Sequence, residues 1–335
     1  MKTVLVTGSE GNIGQYIVAA LLRKYPTWKL IRVKNGTGDP FFDAEQGRYV
    51  GDLRDPSIFK LILRDNSPDY VIHAASTSYS HDGYRSNPFA VLHNDCLLTL
   101  NTLKHTVGVE KFVFLSSALV YEHARESLLK EDLTNRLPAP TSSYGVAKYL
   151  GEQAVLNARR EFGTTYTIWR PFNVVSPLEP TAGDGRHVFV DFFRRIFVER
   201  VNEIGVLGGG EQVRCFIWVE EVAECIVAAL DNSATDDQII NLARDEPTSV
   251  SRLKEMLVTI GKDVNVLPRT YDPPIRAAGA FAGVEMATRI PCIQKLKELT
   301  HWQSSISVES CLRRFVQVKL NCDQFSAPLP PVRTA

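Results

Sequence analysis

The chain has 335 residues with 38 basic and 38 acidic side chains, so its net charge is zero. That balance gives no electrostatic footprint for nucleic acid or an anionic membrane surface. The content of 44% hydrophobic and 23% charged residues is that of an ordinary globular protein of one or two domains. The six cysteines (Cys96, Cys215, Cys225, Cys292, Cys311, Cys322) show no Cys-x-x-Cys or Cys/His ligand spacing, which argues against structural zinc and a disulfide framework. A reducing compartment, the cytoplasm, is therefore expected. No apolar run reaches the roughly 18 residues of a membrane span, and the chain opens directly on a strand pattern, leaving no room for a signal peptide.

Through the first 170 residues, short apolar runs alternate with longer helical patterns. Val4–Thr7, Leu30–Lys34, Tyr70–Ala74, Phe112–Ser116 and Tyr166–Arg170 read as strands. Being apolar throughout, they suit a parallel sheet buried on both faces. Ile13–Lys24, Pro56–Asn66, Pro88–Val107 and Ser143–Phe162 read as the helices between them. This alternation predicts a doubly wound α/β sheet. After Arg170 the pattern loosens. Pro171, Pro177 and Pro180 mark a loop-rich stretch, followed by an amphipathic run over Val188–Val201. A strand is expected around Arg214–Ile217, a helix over Val219–Leu230, a strand at Gln238–Leu242 and a helix over Val250–Gly261. The division expected is a first domain over 1–170, with a returning segment near 211–242. A second domain covers 171–327, and 328–335 forms a frayed Pro-rich tail.

Gly8, Gly11 and Gly14 follow the first strand and open the first helix, the context a dinucleotide loop requires. Glycines there permit a tight turn and close approach of backbone N–H groups to a pyrophosphate, beside the positive end of the helix. An acidic residue at the end of the second strand normally binds the adenosine ribose. Here that position is Lys34, with Arg32 two residues earlier. A cation suits a 2′-phosphate and points to NADP, whereas Glu10 in the loop would repel that phosphate, so NAD and NADP both stay open. Asp52 is placed to accept from the adenine amino group or to cap the helix before Pro56. Further along, Tyr144 and Lys148 are four residues apart and share one helix face. An ammonium there can lower the pKa of a phenol that ordinarily titrates near ~10. Reaching neutrality needs about 3 units, or roughly 4 kcal/mol of preferential anion stabilisation.

Taken together, the glycine loop, His73-Ala74-Ala75, Ser116-Ser117-Ala118-Leu119-Val120-Tyr121, Tyr144-x-x-x-Lys148 and Arg170-Pro171-Phe172-Asn173 resemble the extended short-chain dehydrogenase/reductase family. The nucleotide-sugar epimerases and dehydratases look most similar, and the likeness runs to Thr300-His301-Trp302. The resemblance implies a Rossmann-like domain followed by a smaller C-terminal α/β domain for the nucleotide-diphosphate (NDP) sugar. It implies Tyr144 as acid/base, Lys148 as the ligand of the nicotinamide ribose and Ser117 as the hydroxyl on the reacting sugar oxygen, with Ser116 the weaker candidate. Asn12, Ile13, Leu53, Ala74, Ala75, Ser76, Asn94 and Pro171 join the glycines, Lys34 and Asp52 as cofactor contacts. Asn173 and Arg214 would hold the sugar nucleotide's diphosphate, a guanidinium suiting phosphate by bidentate donation. His81 and Tyr84, in a polar and aromatic segment with Tyr79, Asp82 and Arg85, are candidates for the sugar ring, and Gly183–His187 for its far side.

The resemblance also narrows the reaction. Dehydratases of the group place Asp-Glu directly after the working hydroxyl, and decarboxylases tend to carry Glu there. Ala118 and Leu119 stand in those positions and cannot move a proton. What stays open is 4-epimerisation with tightly bound NAD, or reduction of a 4-keto sugar by NADPH. A dinucleotide-sensing binding protein is the reading of a different class, against which the retained Ser117, Tyr144 and Lys148 weigh. No metal site is expected. A homodimer pairing the helices at 88–107 and 143–162 follows from the resemblance.

Overall fold

Short runs of β-branched and aromatic residues form the strands of one large sheet in the computed structural model, which describes residues 1–77, 86–181, 187–279 and 287–321. The first half contains β1 (Thr3–Thr7), α1 (Gly14–Lys24), β2 (Lys29–Lys34), β3 (Phe41–Asp43), β4 (Arg48–Val50), α2 (Ser57–Asp65) and β5 (Tyr70–His73). It continues through α3 (Pro88–His105), β6 (Lys111–Leu115), β7 (Leu128–Leu129), α4 (Ser143–Phe162) and β8 (Tyr166–Pro171). The second half holds β9 (Val174–Val175), α5 (Val188–Phe193), β10 (Ile204–Val206), β11 (Val213–Cys215), β12 (Ile217–Trp218) and α6 (Val219–Ala228). Then come β13 (Gln238–Leu242), β14 (Pro247–Ser249), α7 (Val250–Asp263), β15 (Ile275–Ala277), β16 (Thr288–Pro291), α8 (Gln294–Thr300) and α9 (Val308–Asn321).

Among the described residues the large sheet runs β13-β8-β6-β5-β1-β2-β4-β3, and every pairing is parallel except β3 with β4. The chain winds outward from β1 through β2 and β4, then crosses to β5, β6 and β8 on the other side. Such an α/β sheet binds ligands outside the strand ends at this reversal. Thr7 and His73 stand side by side there. Alternation along β1 explains the two packed layers: Val4 and Val6 join the core under α1 and α6, while Leu5 joins the core under α2, α3 and α4. A separate apolar core gathers Phe189, Phe193, Phe197, Phe216, Leu257 and Phe315, from α5, α7, α9 and the segments between them.

Within the first 170 residues, each of the expected helices and strands is present to within two residues at either end. Three local features differ from the sequence reading. Residues 41–50 form an antiparallel hairpin at the sheet edge, whose three-residue strands are too short to give an alternation signal. The run at 188–201 is not one α-helix: α5 passes into a π-helical turn over Arg194–Glu199 and stops at Arg200, whose φ is +50°. The strand expected at 214–217 is two strands, β11 in a small sheet ordered β14-β11-β16-β7 and β12 paired with β9, with Phe216 buried between them. Among the described residues no helix is long and apolar enough to cross a membrane, and no group of His, Cys, Asp or Glu is arranged to hold a metal. The tail at 328–335 and Cys322 lie outside the described residues.

Candidate active site

The glycine loop sits where β1 meets the segment after β5. Gly8 has φ of +66°, and a Cβ there would lie 2.7 Å from the backbone N and Cα of Ala75. A Cβ on Gly14 would lie 1.9 Å from the carbonyl oxygen of Gly8, which itself accepts from Gly11 N at 2.9 Å. Only glycine permits this turn. Past Asn12 and Ile13, α1 begins with no side-chain cap and no acidic residue in its first turn. That is the chemistry a pyrophosphate needs, so the residues present fit a dinucleotide. On the other wall, Ala74 N donates to Thr7 O at 3.2 Å, holding Ala74 and Ala75 against the loop.

At the end of the second strand, Lys34 closes β2, and among the described residues no ion pair involves it. Arg32 is turned away, donating to the carbonyls of Gln46 and Gly47. Arg48, on the unforeseen hairpin, pairs with both Glu10 and Asp43, so Glu10 does not face this end as an uncompensated charge. Asp52, ahead of the buried Leu53, accepts from Arg54 N at 2.9 Å and pairs with the Arg54 guanidinium at 2.6 Å. The hydrogen bond from Arg54 holds the Asp52 carboxyl below the usual range in spite of partial burial. Arg54 also donates to Asn94 Oδ1 at 2.7 Å.

Tyr144 and Lys148 belong to the first turns of α4. Ser142 caps this helix, accepting from Gly145 N at 3.3 Å, and Glu122 accepts from the backbone and hydroxyl of both Thr141 and Ser142. Lower down, Gly151 lets the helix close on β6, since a Cβ would lie 2.4 Å from Phe114 Cζ. This approach brings the buried Lys148 to Leu115 O, to which its Nζ donates at 3.1 Å, and to 5.5 Å from the centre of the Tyr144 ring. The two serines after β6 separate cleanly. Ser116 is buried and donates to Glu152 Oε1 at 2.5 Å, whereas Ser117 Oγ accepts from Leu119 N at 3.2 Å and acts on the Tyr144 phenol to draw its pKa down.

Burial, and then the carboxylate of Asp95, push Tyr144 well above the ordinary tyrosine value, and Ser117 and Ser76 only partly offset this. Lys148 is pushed down by burial against the pull of Asp95. The Tyr-Lys spacing is correct, but without further positive charge the environment keeps Tyr144 protonated.

On the large sheet, Pro171 ends β8, and Asn173 follows with φ of +34°, its Nδ2 donating to Cys215 O at 2.9 Å. Arg214 is buried on β11, between Thr248 of β14 and Arg289 of β16, and donates to Val213 O at 2.8 Å and Ala287 O at 3.3 Å. His187 pairs with Glu179 at 2.8 Å. His81, Tyr84 and their neighbours Tyr79, Asp82 and Arg85, and residues 183–186, lie outside the described residues.

Sequence reasoning missed three structural features of the site. Arg48 comes from a hairpin with no signal of its own. Arg170, fully buried, is held by Glu152 at 2.7 Å, Tyr121 at 2.7 Å and Thr134 at 3.0 Å, and so supports the floor beneath Ser116. Asp95, not Asn94, faces the phenol. The buried face of α3 (Val91, Asp95, Leu98, Thr102) follows helical spacing, a signal that could have singled it out.

The known proteins this chain is similar to differ in their reactions. A UDP-N-acetyl-alpha-D-glucosaminuronate decarboxylase from Bacillus cytotoxicus is 26% identical over 94% of this chain and 97% of its own length. The human dTDP-D-glucose 4,6-dehydratase is 24% identical over 79% of this chain and 75% of its own. The crystal structure of a UDP-glucose 4-epimerase from Thermotoga maritima with UDP-glucose superposes with a TM-score of 0.79 at 25% identity, covering 95% of this chain and 98% of that one. The model of the NAD dependent epimerase/dehydratase family matches residues 4–243, and this chain, an enzyme with a Rossmann-like sheet, belongs to that family.

Proposed function

We propose that this protein is a nucleotide-sugar 4-epimerase, inverting C4 of an NDP-hexose or NDP-hexuronate through a transient 4-keto sugar. The observation that carries this reading is the end of β6. Ser117 acts on Tyr144 to draw the phenol's pKa down, and the next two residues, Ala118 and Leu119, have no proton to give or take. Elimination of water needs an acid/base pair beyond the one that serves C4, and this strand end does not supply it.

Tyr144 takes the proton of the sugar 4-hydroxyl and returns it to the ketone oxygen. Ser117, whose lone pair is occupied by Leu119 N, keeps its own proton to donate to that sugar oxygen. Lys148 offers its ammonium to the phenolate as it forms, and to the nicotinamide ribose. A bound NAD supplies reversible hydride acceptance from C4. Gly8, Gly11 and Gly14 with Asn12 and Ile13 would hold its pyrophosphate, Asp52 and Leu53 its adenine, and Ala74, Ala75, Ser76, Asn94 and Pro171 its remaining length. Asn173 and Arg214 would hold the diphosphate of the sugar nucleotide, within a substrate domain over 171–327 that faces the 1–170 domain. A cytoplasmic homodimer joined through α3 and α4 completes the reading.

One observation favours a second reading, reduction of a 4-keto sugar by NADPH: Lys34 is available where a 2′-phosphate would lie. The deciding experiment incubates the protein with UDP-glucose, UDP-glucuronate and their dTDP and GDP counterparts, with catalytic NAD, and resolves C4 epimers by NMR. A C4 epimer formed with no net change in reduced nicotinamide supports the epimerase. Inert sugar nucleotides, together with a 4-keto sugar that consumes NADPH stoichiometrically, would leave the reductase.

A further inference from the structure

Ser117 and Tyr144 stand on different elements, and one path of hydrogen bonds joins those elements. Ser117 opens a short 3-10 turn over Ala118–Tyr121, its Oγ accepting from Leu119 N at 3.2 Å. The far end of the turn is fixed to the core, where the buried Tyr121 donates to Asn241 Oδ1 at 2.7 Å. Glu122 follows directly, its own N donating to Leu119 O at 3.2 Å. Its carboxylate reaches residues 19 and 20 positions away in sequence, just ahead of α4. Oε2 accepts from Thr141 N at 2.9 Å, Ser142 N at 3.0 Å and Ser142 Oγ at 2.9 Å, and Oε1 accepts from Thr141 Oγ1 at 3.1 Å.

Ser142 is the N-cap of α4, and Tyr144 is the second residue of that helix. A serine hydroxyl has one proton. Ser142 gives it to Glu122, which leaves its oxygen turned toward Gly145 N, the donor it caps at 3.3 Å. The first turn of α4 also lies against the 3-10 turn itself, since a Cβ on Gly145 would come 3.2 Å from Leu119 O. A cap alone needs only Ser142. A carboxylate that takes four donors from two consecutive residues does more: it fixes where the helix starts relative to the end of β6.

We propose that Glu122 is a positioning residue which, by gripping Thr141 and Ser142, sets the offset between the Ser117 hydroxyl and the Tyr144 phenol.

The grip is charge-assisted. Burial raises the Glu122 carboxyl, but the donors on Ser142 and Thr141 outweigh it and hold the group below its ordinary value, so it is ionised at neutral pH. An amide in its place could answer only the donors on its one oxygen, and its NH2 would face hydroxyl and N–H groups that need an acceptor. Misplacement of a reacting group by a fraction of an ångström to 1 Å lowers the rate of the chemical step without weakening the binding of either ligand.

This inference rests on the roles proposed for Ser117 and Tyr144, which the epimerase and reductase readings share. Its test has two readouts in the protein with bound cofactor, taken well below each variant's thermal midpoint. The first is amide hydrogen exchange at Thr141, Ser142 and Gly145, which Glu122→Gln should speed. The second is turnover: Glu122→Gln should lower kcat by about 10–100-fold, with KM and dinucleotide affinity nearly unchanged. Ser142→Ala should lower kcat in the same way, Ser142→Thr should retain it, and the loss in the double variant Glu122→Gln/Ser142→Ala should be less than the product of the singles. Unchanged exchange in Glu122→Gln overturns the proposal, as do an unchanged kcat, a loss confined to KM, or a double variant at the full product. Should Glu122→Gln not fold, an unchanged kcat in Ser142→Ala overturns it equally. If sugar nucleotides are inert and the protein reduces a 4-keto sugar, the epimerase reading fails and the same kcat comparison is made on that reduction.

Discussion

The C-terminal edge of the large sheet and the small sheet beside it present two ways of building a site. At the large edge, the groups proposed for catalysis come from contiguous motifs on long elements: a glycine turn between β1 and α1, two serines after β6, and a Tyr-Lys pair on the 20-residue helix α4. Their geometry is fixed by close backbone approaches, such as Gly8 on Ala75 and Gly151 on Phe114. The small sheet instead joins Leu128–Leu129, Val213–Cys215, Pro247–Ser249 and Thr288–Pro291, short strands drawn from far apart in the chain. The groups proposed for hydride and proton transfer sit on the first kind of scaffold. Under the proposed function, selection among sugar nucleotides belongs to the second, where short strands can be exchanged without disturbing the parallel core.

Substitutions can break or sharpen that contrast. The largest effect expected is at Tyr144. Tyr144→Phe removes one oxygen and little packing volume, so turnover should disappear while cofactor binding and thermal stability persist. Activity above a few per cent of wild type would remove Tyr144 from its proposed role. Next, Ser117→Ala should lower kcat by about 10²–10⁴-fold. Ser116→Ala should leave kcat within a small factor but cost about 1–3 kcal/mol in denaturant unfolding, because the buried Glu152 carboxylate loses a donor. A reversed order of damage to kcat would shift the assignment to Ser116.

The small sheet should respond differently. Arg214→Ala is expected to raise KM for the sugar nucleotide by about 10–100-fold, the loss of a charge-assisted pair of roughly 1.5–3 kcal/mol. Dinucleotide affinity, measured by calorimetry, should barely move. Equal weakening of both ligands would make Arg214 a structural residue, held as it is by the carbonyls of Val213 and Ala287. The smallest effect expected is at the adenosine end. Lys34→Asp should shift the NADP-to-NAD affinity ratio toward NAD by a few fold, because Glu10 and its partner Arg48 remain in place. A change of several hundred-fold would instead make Lys34 a true 2′-phosphate ligand and favour the reductase.

The same contrast explains what could be read before the structure. Strands apolar on both faces and helices of 9 to 20 residues carry periodic signals that survive in a single sequence, so the parallel sheet was legible almost to its boundaries. The three-residue strands at 41–43 and 48–50 carry none, and with them Arg48 was invisible. Asn94 drew attention by its place in a motif, yet it bonds Arg54, while its neighbour Asp95 faces the phenol. Adjacent helical residues point about 100° apart, and only the spacing of the buried positions distinguishes them. Burial is a further property that spacing does not carry. A lysine four residues from a tyrosine suggests a lowered phenol, but burial of the phenol, set by tertiary packing, pushes the other way, so the lysine needs the nicotinamide's positive charge beside it.

The central claim is that a hydride removed from C4 returns to C4 of the same sugar. Incubating the protein with an NDP-hexose carrying deuterium at C4, in the presence of less NAD than substrate, tests it most directly. The account predicts a C4 epimer that retains the deuterium at C4, with no build-up of reduced nicotinamide. Epimer that has exchanged its label with solvent, or label accumulating in free reduced cofactor, would contradict it.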